Sequence, residues 1–131
     1  ALEACQALDV VDQHGGLDGA VLERGQNFSL GERQLLALAR ALLADPPILL
    51  LDEATASVDR QTERKLQLAT ERLLAGRTAM VVAHRLSTVE HADRIFVLDG
   101  GVVAEEGTHA ELLAKGGQYA KFVELQRLAE E

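Results

Sequence analysis

Among 131 residues the chain holds a single cysteine, Cys5. One thiol cannot build an internal disulfide framework or a thiolate metal site, and its reduced state fits a reducing compartment. Long apolar runs are missing as well. The longest, PPILLL at 46–51, is far short of the ~20 residues a membrane-spanning helix needs. The opening stretch ALEACQALDVVDQ is acidic and carries no basic region ahead of an apolar one, so it does not read as a signal peptide. It also lacks an initiating Met, from which we expect a piece of a longer polypeptide. Positive charge is scarce: 13 Lys and Arg stand against 21 Asp and Glu, a net of −8. A nucleic-acid surface needs clustered Lys and Arg, so nucleic acid is not an expected partner. Internal repeats, low-complexity tracts and Pro- or Ser-rich linkers are absent. No Gly-Lys pair occurs, so these residues contain no G-x-x-x-x-G-K-[ST] phosphate cradle.

What is present is apolar enough to fold. Hydrophobic residues make up 47%, which supports one packed domain of ordinary size. Residues 1–9 read as helical, with Leu2, Cys5 and Leu8 on one face, and the glycine-rich stretch 13–27 reads as irregular. A strong helix is predicted over 30–44, with Ser29 as its N-cap and Glu32 three residues on, a capping box. ILLLD at 48–52 reads as a strand buried on both faces. An amphipathic helix follows over 59–75, stopped by Gly76. TAMVVA at 78–83 is a second strand, and Ser87 and Glu90 give a short helix another capping box. RIFVLD at 94–99 is a third strand, which Gly100 and Gly101 turn into the hairpin partner VVAEEG. Thr108 caps a helix to about 114, and residues 118–130 form the last, with Tyr119, Phe122, Val123 and Leu125 on a packing stripe.

This alternation of strand and helix predicts an α/β layer of parallel strands, with ligands beyond the carboxyl ends of the strands. Asp52 and Glu53 follow the first strand there, and His84 follows the second. One carboxylate suits a hydrated Mg²⁺ while its neighbour faces a water, and an imidazole at a strand end suits phosphate oxygens. His14, His91 and His109 lack such placement and read as surface residues. No zinc-ligand spacing or G-x-S-x-G context is found. Ser29 and Gly31 stand at a helix mouth, where unpaired N–H groups and the dipole favour phosphate, although taken by themselves they are more simply read as a capped helix.

In combination these segments resemble the later part of an ATP-binding cassette (ABC) nucleotide-binding domain of exporter type. FSLGERQ, beginning at Phe28, is similar to the signature motif. ILLLDE, 48–53, is similar to Walker B with its glutamate; ASVD, 56–59, to the D-loop; AHRLST, 83–88, to the switch histidine and its flank. VLERG, 21–25, resembles the exporter X-loop, and ADRI and GTHAELL are further family phrases. The likeness covers nearly the whole chain. It implies a partial P-loop NTPase fold, a mainly parallel sheet flanked by helices. Residues 1–45 would belong to the helical subdomain and 46–131 to the core.

The same resemblance implies the chemistry: an ATPase with ATP and Mg²⁺ as cofactors. Glu53 would be general base, Asp52 would hold Mg²⁺ largely through water, and His84 would contact the γ-phosphate. Ser29, Leu30, Gly31 and Glu32 would meet ATP held by a second nucleotide-binding domain, identical or different, and Asp59 would act across that interface. The transmembrane domains of the exporter would be further partners, at the cytoplasmic face of the cell membrane. Two residues depart from the family pattern: Leu30 replaces a glycine and Glu32 a glutamine, which leads us to expect a weakened signature. The missing Walker A leads us to expect that the 131 residues alone neither bind ATP tightly nor hydrolyse it. A soluble ABC-type ATPase of chromosome maintenance or DNA repair, and a non-catalytic dimerisation fragment, are the alternative readings.

Overall fold

In a computed structural model, residues 1–52, 58–83 and 86–130 are described. They form two compact units, Ala1–Val81 and Val82–Glu131, each with its own core. Among the described residues no helix is long and apolar enough to cross a membrane.

The first unit is built on two 15-residue helices, α2 (Leu30–Ala44) and α3 (Arg60–Leu74), and a two-stranded parallel sheet of β1 (Ile48–Asp52) and β2 (Thr78–Val82). Leu, Ala, Arg and Gln make α2 a strong helix former. It buries Leu35, Leu38 and Ala39 against Ala69 and Leu73 of α3 and Leu49 of β1. Asp45, in the left-handed region at φ 47°, ends α2 ahead of two prolines that cannot continue it. Arg77 locks the far end of this layer. Its guanidinium donates to the Asp45 carboxylate at 2.6 Å and to the Leu73 carbonyl at 2.7 Å, joining the last turns of α2 and α3 just before β2.

The expected helix over residues 1–9 is not formed. Turns occupy the start, Gln6 adopts φ 56°, and α1 begins only at Leu8 (Leu8–Gln13). The left-handed Gln6 breaks the helical path, so Cys5 is fully buried while Leu8 remains 45% exposed. Residues 13–27 are irregular apart from a 3₁₀ turn, Glu23–Gly25.

β1 differs from the expectation of burial on both faces. Leu49 is buried and Leu51 packs on the core, but Ile48 and Leu50 are exposed, as are Met80 and Val82 of β2. Alternation along a strand gives these four one side of the sheet, and among the described residues nothing covers it. Apolar composition on both sides of a strand foretells two covering layers; the described residues supply one.

In the second unit, β3 (Ile95–Asp99) and β4 (Val102–Gly107) form an antiparallel hairpin. Gly100 and Gly101, both at positive φ, supply the turn. Val97 pairs with Glu105 and Leu98 with Val103, so Ala104 is an extra residue in β4, a bulge. The third strand was expected in the parallel layer, but among the described residues its partner is β4. The local hairpin needs no crossover, whereas strand order across a layer leaves no mark in a short apolar run. The short helix α4 (Leu86–Val89) starts one residue earlier than expected, placing Ser87 inside it rather than at its cap.

Helix α5 (His109–Lys115) has the anticipated capping box, and α6 (Gln118–Glu130) is capped from β4, where the Glu105 carboxylate accepts the N–H groups of Gln118 and Tyr119. Leu112, Tyr119 and Val123 are buried with Leu86 and Ile95, and Phe122 packs beside them. Leu125 turns outward, 67% exposed, one step off the predicted stripe.

Candidate functional site

Ser29 sits at the mouth of α2 with φ −62° and ψ 164°, the extended geometry of an N-cap. Its hydroxyl accepts the Glu32 N–H at 3.2 Å, and the Glu32 carboxylate accepts the Ser29 N–H at 2.6 Å. Glu32 is therefore folded back over the helix mouth. One of the donors an anion could use is already taken by a carboxylate, and Ser29 remains exposed. Leu30 is 45% exposed beside it.

Gly31 is buried, and its lack of a side chain has a measurable cause. A Cβ at this position would lie 2.3 Å from the Thr62 methyl and 3.4 Å from Val58. The N-terminal ends of α2 and α3 thus touch through a glycine. At the start of α3, Asp59 accepts the N–H groups of Gln61 and Thr62, both at 3.0 Å, and the Thr62 hydroxyl at 2.6 Å. That hydroxyl, with the N–H groups behind it, holds the Asp59 carboxyl below the usual carboxylate range. Thr62 accordingly faces two ways, its hydroxyl on Asp59 and its methyl against Gly31. A small cleft opens here, lined in part by Glu32, Asp59, Gln61, Thr62 and the Lys65–Asp9 ion pair at 3.5 Å.

Asp52 ends β1 with an exposed side chain that has no partner among the described residues. Glu53 and His84 lie outside the described residues. Among the described residues no cluster of His, Cys, Asp and Glu side chains could hold a metal ion by itself.

Two histidines read as surface residues are not free. His109 Nδ1 bonds the Tyr119 hydroxyl at 2.7 Å. His14 is half-buried, its ring 4.2 Å from that of Phe28, and both its nitrogens meet carbonyl oxygens. No pattern in the sequence marks His14. Thr62 did carry a signal, since Asp-x-x-Thr at 59–62 is an N-cap followed by a partner at the third helical position.

The profile of the ABC transporter family matches residues 2–56. The chain is 51% identical, over 132 aligned positions, to the beta-(1→2)glucan export ATP-binding/permease protein NdvA of Rhodopseudomonas palustris, which covers all of this chain and 22% of that protein. It is 53% identical over 127 residues to the ATP-dependent lipid A-core flippase of Albidiferax ferrireducens, covering 96% of this chain and 22% of that protein. The structure of a bacterial Atm1-family ABC exporter with ATP bound matches with a TM-score of 0.80 at 40% identity, over 95% of this chain and 22% of that one. The chain therefore spans about a fifth of the length of the curated relatives it matches. It belongs to the ABC transporter family and corresponds to part of that family's nucleotide-binding domain.

Proposed function

We propose that the chain is part of the ATP-binding and hydrolysing machinery of an ABC exporter, associated with the membrane at its cytoplasmic face. Two nucleotide-binding domains pair around ATP, and that pairing drives transport through the transmembrane domains. Residues 1–45 contribute to the helical subdomain and 46–131 to the catalytic core.

The observation that carries this reading is the direct packing of the Ser29 mouth of α2 onto the Asp59 cap of α3 through Gly31 and Thr62. Both segments resemble motifs that act on a neighbouring subunit's nucleotide, and here they share one exposed corner. With Ser29 N–H occupied by Glu32, the donors left for a γ-phosphate are the Ser29 hydroxyl and the first-turn N–H groups of Leu30 and Gly31. On the other side of the reaction, Glu53 takes the proton of the attacking water and His84 contacts the γ-phosphate. Asp52 fits Mg²⁺, being a hard oxygen donor at the carboxyl end of β1 with no competing partner among the described residues. Mg²⁺ with the nucleotide supplies charge neutralisation at the transferring phosphoryl group.

Cargo selection lies outside these residues. Relatives named for a β-glucan and for a lipid A core are similarly close, at 51% and 53% identity, as a shared motor with exchangeable membrane parts predicts.

The test is made in the assembled transporter carrying this chain. Glu53→Gln should abolish ATP turnover while leaving Mg-ATP-dependent pairing of the domains intact; retained turnover would refute the assignment. The 131 residues alone should show no Mg-ATP hydrolysis. Leu30→Gly with Glu32→Gln should raise nucleotide affinity or turnover, because together they remove a bulky side chain and a carboxylate that repels the triphosphate by about 1 kcal/mol or more. Unchanged values would sink the weakened-signature idea.

A further inference from the structure

We infer that His14, in its doubly protonated form, latches the loop ahead of Ser29 to the end of α1 and so positions the mouth of α2. Nδ1 lies 2.8 Å from the Val10 carbonyl oxygen and Nε2 lies 2.9 Å from the Asn27 carbonyl oxygen. A carbonyl oxygen only accepts hydrogen bonds, so both nitrogens must donate, and only the imidazolium carries two N–H groups. A neutral ring would aim a lone pair at one of the two oxygens.

The surroundings favour the charged ring. Val10 O is one of the carbonyls left open where α1 ends, since Val11 O and Asp12 O are taken by the N–H groups of residues 14–16. The ring also lies on Phe28, whose π face attracts a cation. The charged residues carried by the adjoining segments are Glu32 and Arg33 of α2, Asp12 of α1, and Glu23 and Arg24 of the 3₁₀ turn. Of these, the Glu32 carboxylate acts on the ring, in favour of the proton. The Val10 carbonyl first, then the Asn27 carbonyl and Glu32, hold the ring's proton affinity above the ordinary histidine value against partial desolvation.

The latch matters because of what it holds. Asn27 is the hub of the 20–28 loop: its side-chain oxygen accepts Leu22 N–H at 3.0 Å and its amide donates to Ala20 O at 2.9 Å. Arg33 reaches back from α2 to the Phe28 carbonyl at 3.2 Å. Phe28 is buried and Ser29 follows it directly. Releasing Asn27 from α1 frees the segment that sets the angle at which the α2 mouth is presented. The functional weight of this positioning rests on the nucleotide reading above; the latch itself does not.

The test is an NMR titration of the chain from about pH 5 to about pH 9, following the imidazole nitrogens and the backbone amides. Both His14 nitrogens should keep their protons to a higher pH than in the urea-unfolded chain. The amides of residues 27–32 should shift with the same midpoint. In His14→Phe, which keeps a ring on Phe28 but has no donors, that pH-dependent shift should vanish. A His14 ring found neutral in a single tautomer across this range, or amides that ignore its titration, would overturn the proposal using wild-type material alone, whatever the variant's stability. No nucleotide enters the readout, so a failure here and a failure of the nucleotide reading are separate events.

Discussion

Two helices of this chain start with the same code. Ser29 and Glu32 cap α2 as Thr108 and Glu111 cap α5, each pair exchanging one side-chain bond in each direction. At the second helical position the two part: α5 carries Ala110, a good helix former, and α2 carries Gly31. Both boxes border a cleft. The α2 box is in addition pressed against a second helix terminus and backed by His14. A capping box therefore says where a helix starts and nothing about its use. What separates a terminus from a candidate site is the residue the local rule would not have chosen.

The largest effect is expected where that rule is broken. Gly31→Ala should destabilise the first unit by about 1–3 kcal/mol, as overpacking does, even though alanine is worth about 1 kcal/mol more than glycine inside a helix. The clash is with a methyl group, so Thr62→Ser should rescue it while keeping the hydroxyl on Asp59. Ala110→Gly, the mirror change, should cost only the ~1 kcal/mol of propensity and gain nothing from any partner change. Urea unfolding of Gly31→Ala, of Gly31→Ala with Thr62→Ser, and of Ala110→Gly decides. A Gly31→Ala chain as stable as wild type would show that the α2–α3 contact yields freely.

Next come the caps. Ser29→Ala and Thr108→Ala should each lose about 1 kcal/mol, and by similar amounts, because the local chemistry is the same. They should separate in the assembled transporter, where only Ser29→Ala is expected to weaken the nucleotide response. If both leave ATP turnover unchanged, the α2 mouth is as purely structural as that of α5.

Acid should be felt at both ends of the comparison. The Thr108 N–H first, then the Thr108 hydroxyl, Lys115 and Arg94, hold the Glu111 carboxyl below its ordinary range. Asp59 is held down by Thr62 in the same sense. A carboxyl whose folded value is depressed stabilises above its unfolded value and loses that contribution as pH falls through the folded one. Wild-type melting temperature should thus drop on acidification more steeply than that of Glu111→Gln or Asp59→Asn. The gap between wild type and each variant should close at the acid end. Parallel profiles would remove the assigned causes.

The sequence made the helices legible because their boundaries are written in short-range chemistry. Ser29, Asp59 and Thr108 are caps; Asp45 before two prolines and Gly76 are stops; the Gly100–Gly101 turn leaves hairpin pairing little alternative. What escaped it was long-range. Ile48 and Leu50 look as apolar as Leu49, and nothing in the run ILLLD tells that one side lacks a cover. His14 carries no spacing signal, for its role is assembled from two backbone carbonyls that any residue could provide. Gly31 was legible as part of a helix mouth; that the space beside it is filled by the Thr62 methyl, thirty-one positions on, was not.

The smallest effect sharpens the comparison most. Glu32→Gln and Glu111→Gln each keep a side-chain oxygen for the N-cap N–H and remove only the charge. Each should lose about 0.3–1 kcal/mol of interaction with its helix dipole, a change near the limit of unfolding measurements. Their second effects differ in kind. Around Glu111 the charges that act on it are those of Lys115 and Arg94. Around Glu32 the group that senses it is His14, whose hold on its proton the carboxylate strengthens. Removing the Glu32 charge should therefore lower the His14 midpoint slightly, the carboxylate being the last and weakest of the causes that raise it. Removing the Glu111 charge should leave that midpoint where it was. A His14 midpoint unmoved by Glu32→Gln would mean that the two carbonyls alone hold the proton, and that the α2 capping box is electrically uncoupled from the histidine.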